Sequence, residues 1–155
     1  MTIRQYEAAP NAAPAQILVI VANYRTGPCV IDCLRSLHPQ VQSLRGTHVT
    51  VADNASSDGS VEKIRTAINH DGFGNWANVM ELERNGGFAY ANNAVIRCAL
   101  EDHPAPDYFL LLNPDTLVRP GALPALLEFM ETHRQVGIAG SRLEYLDGTP
   151  QDTAR

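Results

Sequence analysis

Ile17-Leu18-Val19-Ile20-Val21 is an unbroken aliphatic run. A half-exposed strand alternates apolar and polar positions, whereas a run without alternation marks a strand covered on both faces. The next apolar positions, Val30, Cys33, Leu34 and Leu37, fall three and four apart and line one face of a helix. His48 to Ala52 reads as a second strand. The polar cluster Asp53 to Ser60 is a turn, with Asp58 placed to cap a helix carrying Val61, Ile64 and Ile68 on one side. Asp71 to Asn78 reads as a loop holding two glycines and Trp76, and Val79 to Glu83 as a short third strand. Asn85-Gly86-Gly87 breaks that strand before a helix that turns Ala91, Ala94, Val95 and Cys98 inward. Tyr108 to Leu112 is a fourth strand, ended by Asn113-Pro114-Asp115 because proline cannot donate to a central ladder. Pro120-Gly121 opens a helix with Leu123, Leu126, Leu127 and Met130 on one stripe. Val136 to Ala139 is expected as a fifth strand, and Leu143 to Thr149 as a hairpin turning at Asp147-Gly148.

Strands separated by helices imply right-handed crossovers and an α/β fold: a Rossmann-like, mostly parallel sheet with helices on both faces. Such sheets bind ligands beyond the carboxyl ends of their strands, so the strand-to-helix loops are where chemistry is expected. The chain's 155 residues suffice for one domain with its own core. Residues 1–15, rich in Ala and Pro, read as a flexible tail, and residues 16–155 as the domain.

Charge changes the picture mainly by exclusion. A formal net charge of −5 gives no electrostatic reason to expect nucleic acid as partner. No apolar run approaches the roughly 20 residues a membrane-spanning helix needs, and the first residues lack the apolar core of a signal peptide. Cys29, Cys33 and Cys98 make an odd count unlike a disulfide framework. They read as small buried thiols of a cytoplasmic protein, one that reaches the inner face of a membrane only through partners. The five histidines, at positions 38, 48, 70, 103 and 133, form no cluster along the sequence.

Four successive strand ends carry Asn, Asp, Ser or Gly. Asp53-Asn54 is equally an Asx turn or a ligand contact. Asn85-Gly86-Gly87 is a tight turn requiring φ > 0, or a phosphate-facing helix start. A carboxylate just past a buried strand, as at Asp115, is either a turn residue or a metal ligand. With diphosphate oxygens and water, one Asp completes an octahedral shell for Mg2+ or Mn2+. Four such loops in succession exceed what turn chemistry alone requires.

Asn23-Tyr24-Arg25, the run Val51 to Ser60, Asn85-Gly86-Gly87-Phe88-Ala89-Tyr90-Ala91-Asn92-Asn93 and Leu111-Leu112-Asn113-Pro114-Asp115 together resemble the ordered signatures of family 2 glycosyltransferases. The resemblance runs from about Ile17 to Leu146, and the Asn-Pro-Asp turn is similar to that of the rhamnosyltransferase-like branch. It implies the nucleotide-binding half of a GT-A fold. It also implies a nucleotide-sugar site of Ala22, Asn23, Tyr24, Asp53, Asn85, Gly87, Asn93 and Asn113, with Asp115 on the metal. Asp53 is expected to accept from the ring N–H of uracil or thymine, and Asn113 to touch ribose or diphosphate. Asn92 stands where the wider family often has Arg, which removes a charge from the diphosphate wall. The implied donor is a dTDP- or UDP-linked sugar, rhamnose first. The implied acceptor is a glycan or lipid-linked hydroxyl, attacked with inversion.

Such transfer needs a general base, which the resemblance places in a later segment, beyond Arg155. Glu144 and Asp147 read as hairpin residues instead. The expectation is therefore a donor-binding part of a glycosyltransferase that transfers poorly alone. The alternatives are a non-catalytic nucleotide-sugar-binding module completed by a partner, and a nucleotidyltransferase of similar shape. An uncovered apolar edge or face of a shortened sheet favours homo-oligomers.

Overall fold

The computed structural model describes residues 16–101 and 104–152, so the expected tail and any base beyond Arg155 lie outside it. Four strands and four helices alternate: β1 (Ile17–Asn23), α1 (Gly27–Ser43), β2 (Thr47–Asp53), α2 (Ser60–His70), β3 (Ala77–Glu81), α3 (Gly87–Glu101), β4 (Tyr108–Leu112) and α4 (Ala122–Thr132). The strands form one parallel sheet in the order β3-β2-β1-β4. β1 is central and every one of its residues is buried, which is why its sequence shows no alternation.

One face of the sheet packs Val19, Val21, Val49 and Val51 against Val30, Cys33, Leu34 and Leu37 of α1 and Ile64 and Ile68 of α2. The other face packs Leu18, Ile20, Ala22 and Ala52 against Ala91 and Val95 of α3. Helices therefore lie on both faces, as expected. On α3, Asn92 is buried in place of the expected Cys98, which is exposed. Cys29 is exposed too, so only Cys33 is a buried thiol, and burial followed by the Asp115 charge pushes its pKa up to about 12.

Beyond one- or two-residue extensions of β1 and β2, three expectations change. β3 starts at Ala77 rather than Val79, because Val49 N–H donates to Trp76 O and sets the register Val49↔Ala77. Phe73 and Trp76 in the preceding loop are buried, their rings 4.7 Å apart between centroids. The expected fifth strand at 136–139 does not form. Ile138 there is 92% exposed, Val136 N–H closes a turn onto His133 O, and the flanking Gly137 and Gly140 favour irregular backbone. The hairpin forms as a single antiparallel bridge, Glu144↔Pro150, turning at Gly148 with φ 87°.

The sheet order carries the functional consequence. From β1 the chain winds outward to β2 and β3, then returns to place β4 on the other side of β1. The β1/β4 boundary is a topological switch point, the place beyond the strands' carboxyl ends where open α/β sheets bind ligands. α1 also fixes the segment after β4. Gln40 donates through Nε2 to Arg119 O (2.6 Å) and accepts from Leu123 N–H (3.2 Å), while Val118 N–H donates to Ser36 Oγ (2.9 Å).

Candidate functional site

Asn23 ends β1 and Asp53 ends β2, opposite each other in register. Asn23 Nδ2 donates to Asp53 Oδ1 at 2.6 Å and to Ser56 Oγ at 3.2 Å. Its Oδ1 accepts from Thr26 N–H and Thr26 Oγ1 at 3.1 and 2.8 Å. All four hydrogen-bonding positions of the Asn23 amide are thereby filled. Asn23 is 0% exposed and Ala22 7%, so both lie beneath the strand-end surface, and Tyr24 (41%) presents the exposed side chain of the three expected there.

Asp53 is 2% exposed. Its Oδ1 also accepts from Ser56 Oγ at 2.5 Å, and Oδ2 from Ser56 N–H at 2.9 Å. A carboxylate oxygen accepts about two hydrogen bonds, so one position on Oδ2 remains. Ser56, absent from the residues expected at the site, is the hub of the corner. Besides both bonds to Asp53, its Oγ accepts from Asn23 Nδ2 and from Arg25 N–H (3.0 Å), and its carbonyl accepts from Arg25 Nε (3.3 Å). The signal available in sequence was the placement of Ser56 in the polar run after β2. The cross-loop bonding to Arg25, 31 positions away, has no local signature.

The third loop approaches from β3. Asn85 Oδ1 accepts from Gly87 N–H, and Gly87 has φ 83°, which explains glycine there. A Cβ on Gly86 would come within 2.3 Å of the Tyr90 ring. That ring folds back over the loop and carries the Arg84 guanidinium 4.9 Å above its centroid. Asn54 Nδ2 donates to Gly87 O (3.3 Å) and Asn92 Nδ2 to Phe88 O (2.9 Å), pinning the first turn of α3 beside the end of β2. Asn85, Gly87 and Asn93 are all exposed at this corner.

Across the switch point, Asn113 and Asp115 are both exposed after β4, and Thr116 N–H closes the turn onto Asn113 O. The Asp115 side chain makes no hydrogen bond or ion pair among the described residues. No three His, Cys, Asp or Glu residues converge among them either. A free carboxylate with no protein cage suits a hard divalent cation that takes its other oxygens from phosphate and water, so Asp115 fits Mg2+ or Mn2+. The terminal carboxylates are committed elsewhere. Glu144 pairs with Arg119 and Arg142, and Asp147 accepts from Thr149 N–H and Oγ1. Both have pKa values held below the usual range: Glu144 chiefly by its hydrogen bond from Arg142, Asp147 by those from Thr149. Neither is a free base.

The sequence profile of the family described as Glycosyl transferase family 2 matches residues 18–155. No curated protein matched. Among solved structures, the mannosyltransferase PcManGT from Pyrobaculum calidifontis, in complex with GDP-Man and Mn2+, superposes with a TM-score of 0.67. It is 20% identical, over 87% of this chain and 39% of that one. S. aureus TarS 1-349 gives 0.56 at 21% identity, covering 77% of this chain and 33% of that one. TarS 1-349 in complex with UDP gives 0.55 at 21%, covering 86% and 43%. At such identities the likeness concerns the fold, which is that of the GT-A glycosyltransferases. The chain spans less than half the length of each of these structures.

Proposed function

The chain belongs to glycosyltransferase family 2, and on that premise we propose that it carries the donor and metal site of a sugar transferase. The donor is a dTDP- or UDP-linked sugar, rhamnose being the first candidate, and the acceptor is a glycan or lipid-linked hydroxyl. Inversion at the anomeric carbon follows the resemblance to the family. The observation that carries the reading is the exposed, unpartnered Asp115 carboxylate just past β4, at the same strand ends as the corner built around Asp53.

In this reading the base lies over the ends of β1 and β2, where Tyr24 offers an exposed ring and Asp53 Oδ2 one acceptor position. The ring N–H of uracil or thymine matches that acceptor. Asn23 acts from below, holding the Asp53 carboxylate rather than touching the ligand. Asn85, Gly87 and Asn93 offer polar groups at the start of α3 toward the diphosphate, and Asn113 toward ribose or diphosphate. Asp115, with Asn113 beside it, holds Mg2+ or Mn2+. That ion, when bound, offsets the negative charge growing on the departing diphosphate. GDP-Man with Mn2+ in the PcManGT complex, and UDP in the TarS complex, support a nucleotide and a divalent ion in a fold of this shape.

Calorimetric titration with a panel of nucleoside diphosphates in Mn2+ tests the reading. UDP and dTDP should bind at least about tenfold more tightly than ADP, whose ring offers no N–H there, the worth of one charge-assisted hydrogen bond. Equal affinity for UDP and ADP would remove Asp53 as the base-reading group.

A further inference from the structure

Among the described residues, the non-glycine residues with positive φ are Arg25 (59°), Ala55 (56°) and Ser57 (49°). Each costs roughly 1–3 kcal/mol and persists only where surrounding structure enforces it. All three gather at one corner: Ala55 and Ser57 flank Ser56, and Arg25 is bound to Ser56 through N–H and Nε. The strain is thus concentrated on holding one guanidinium against one serine.

We propose that Arg25 reads the nucleobase: its guanidinium, held beside Asp53 through Ser56, donates to an exocyclic carbonyl oxygen of a uracil or thymine ring. This rests on the nucleotide-sugar reading above and deepens it. The Nε–H is committed to Ser56 O, which leaves the four Nη hydrogens as donors. The guanidinium lies 5.0 Å above the Tyr24 ring centroid and makes no ion pair among the described residues. Ser56 in turn makes two of the three hydrogen bonds to the Asp53 carboxylate. Arg25 therefore sets donors next to an acceptor. The imide edge of uracil or thymine presents a ring N–H between two carbonyl oxygens, the complement of that pair. Guanine also offers a ring N–H, but it has a carbonyl on one side only and an amino group on the other. The Asp53–Arg25 pair thus selects bases with a ring N–H beside a carbonyl oxygen and excludes adenine and cytosine, which lack that N–H.

The test compares UDP with pyrophosphate, which lacks a base, by calorimetry in Mn2+ for wild type, Arg25→Gly and Arg25→Lys. Glycine suits φ 59°, so Arg25→Gly removes the guanidinium without imposing strain, and an unchanged Tm verifies the fold. Arg25→Gly is expected to weaken UDP about tenfold or more and to leave pyrophosphate within about twofold. Arg25→Lys keeps the charge but not the anchored planar fork, and should stay within about threefold of the glycine variant. An equal loss for UDP and pyrophosphate would overturn the inference and assign Arg25 to the phosphates. An unchanged UDP affinity would overturn it as well. Wild-type protein that binds neither ligand would instead overturn the nucleotide reading, and this inference with it.

Discussion

Three hydrogen bonds converge on the Asp53 carboxylate, two from Ser56 and one from Asn23. Removing this buried acceptor leaves the neutral donors of Ser56 and Asn23 without partners, each at a cost of roughly 1–3 kcal/mol. Asp53→Ala should therefore lower the unfolding free energy by about 2–5 kcal/mol. Urea denaturation measures this directly. A loss under about 1 kcal/mol would mean that the network adds little and that Asp53 is kept for ligand alone. Residue identity revealed this much from sequence: Asp53, Asn85 and Asp115 stood out as polar groups at strand ends. It did not reveal that Asn23 is saturated, because its partners Asp53 and Ser56 lie 30 and 33 positions away and are set by strand register. Nor did it reveal Arg25, whose strained backbone and Ser56 contact exist only once β1 and β2 are paired.

At the scale of elements, the hydrophobic pattern succeeded where burial is one-sided or total and failed where the chain is exposed. α1 is legible because its spacing of three and four is the spacing of a helix face against a sheet, and Val30, Cys33, Leu34 and Leu37 are all buried. The run at 136–139 looks like a strand in composition but has no neighbour to pair with, and two glycines weaken it. α1 and α2 are further joined at their exposed rims. Arg35 Nε donates to Asp71 Oδ2 at 2.8 Å, and His70 Nδ1 lies 2.7 Å from Asp71 Oδ1. The His70 contact first, then Arg35, holds the Asp71 carboxyl below its ordinary pKa. A folded-state pKa below the unfolded value stabilises above the unfolded value, and the stabilisation disappears as pH falls through the folded one. Asp71→Asn should thus lower Tm at neutral pH. Its deficit should close as pH drops below the ordinary aspartate value of about 3.9. A deficit that stays constant across that range would point to lost packing rather than charge.

On the scale of the whole molecule, the β3-β2-β1-β4 order is what brings Tyr24 and Asp53 to one side of the switch point and Asn113 and Asp115 to the other. Sequence alternation foretold a parallel sheet but not this order, since connection lengths alone leave β4 free to join either edge. Apolar surface is also left uncovered: Leu111 on β4 is 47% exposed, and Ile138 and Leu146, in the segment after α4, are 92% and 91%. No helix among the described residues is long and apolar enough to cross a membrane. On the proposed reading, the strand ends at this switch point hold a nucleoside diphosphate together with a divalent ion on Asp115. The most direct measurement is calorimetric titration of UDP with and without Mn2+ for wild type and Asp115→Asn. Asp115 is exposed and unpartnered, so the substitution opens no cavity and should leave Tm within about 2 °C. Mn2+ should tighten UDP binding to the wild type at least about tenfold, and that gain should vanish in the variant. The same Mn2+ gain in both proteins would contradict the account.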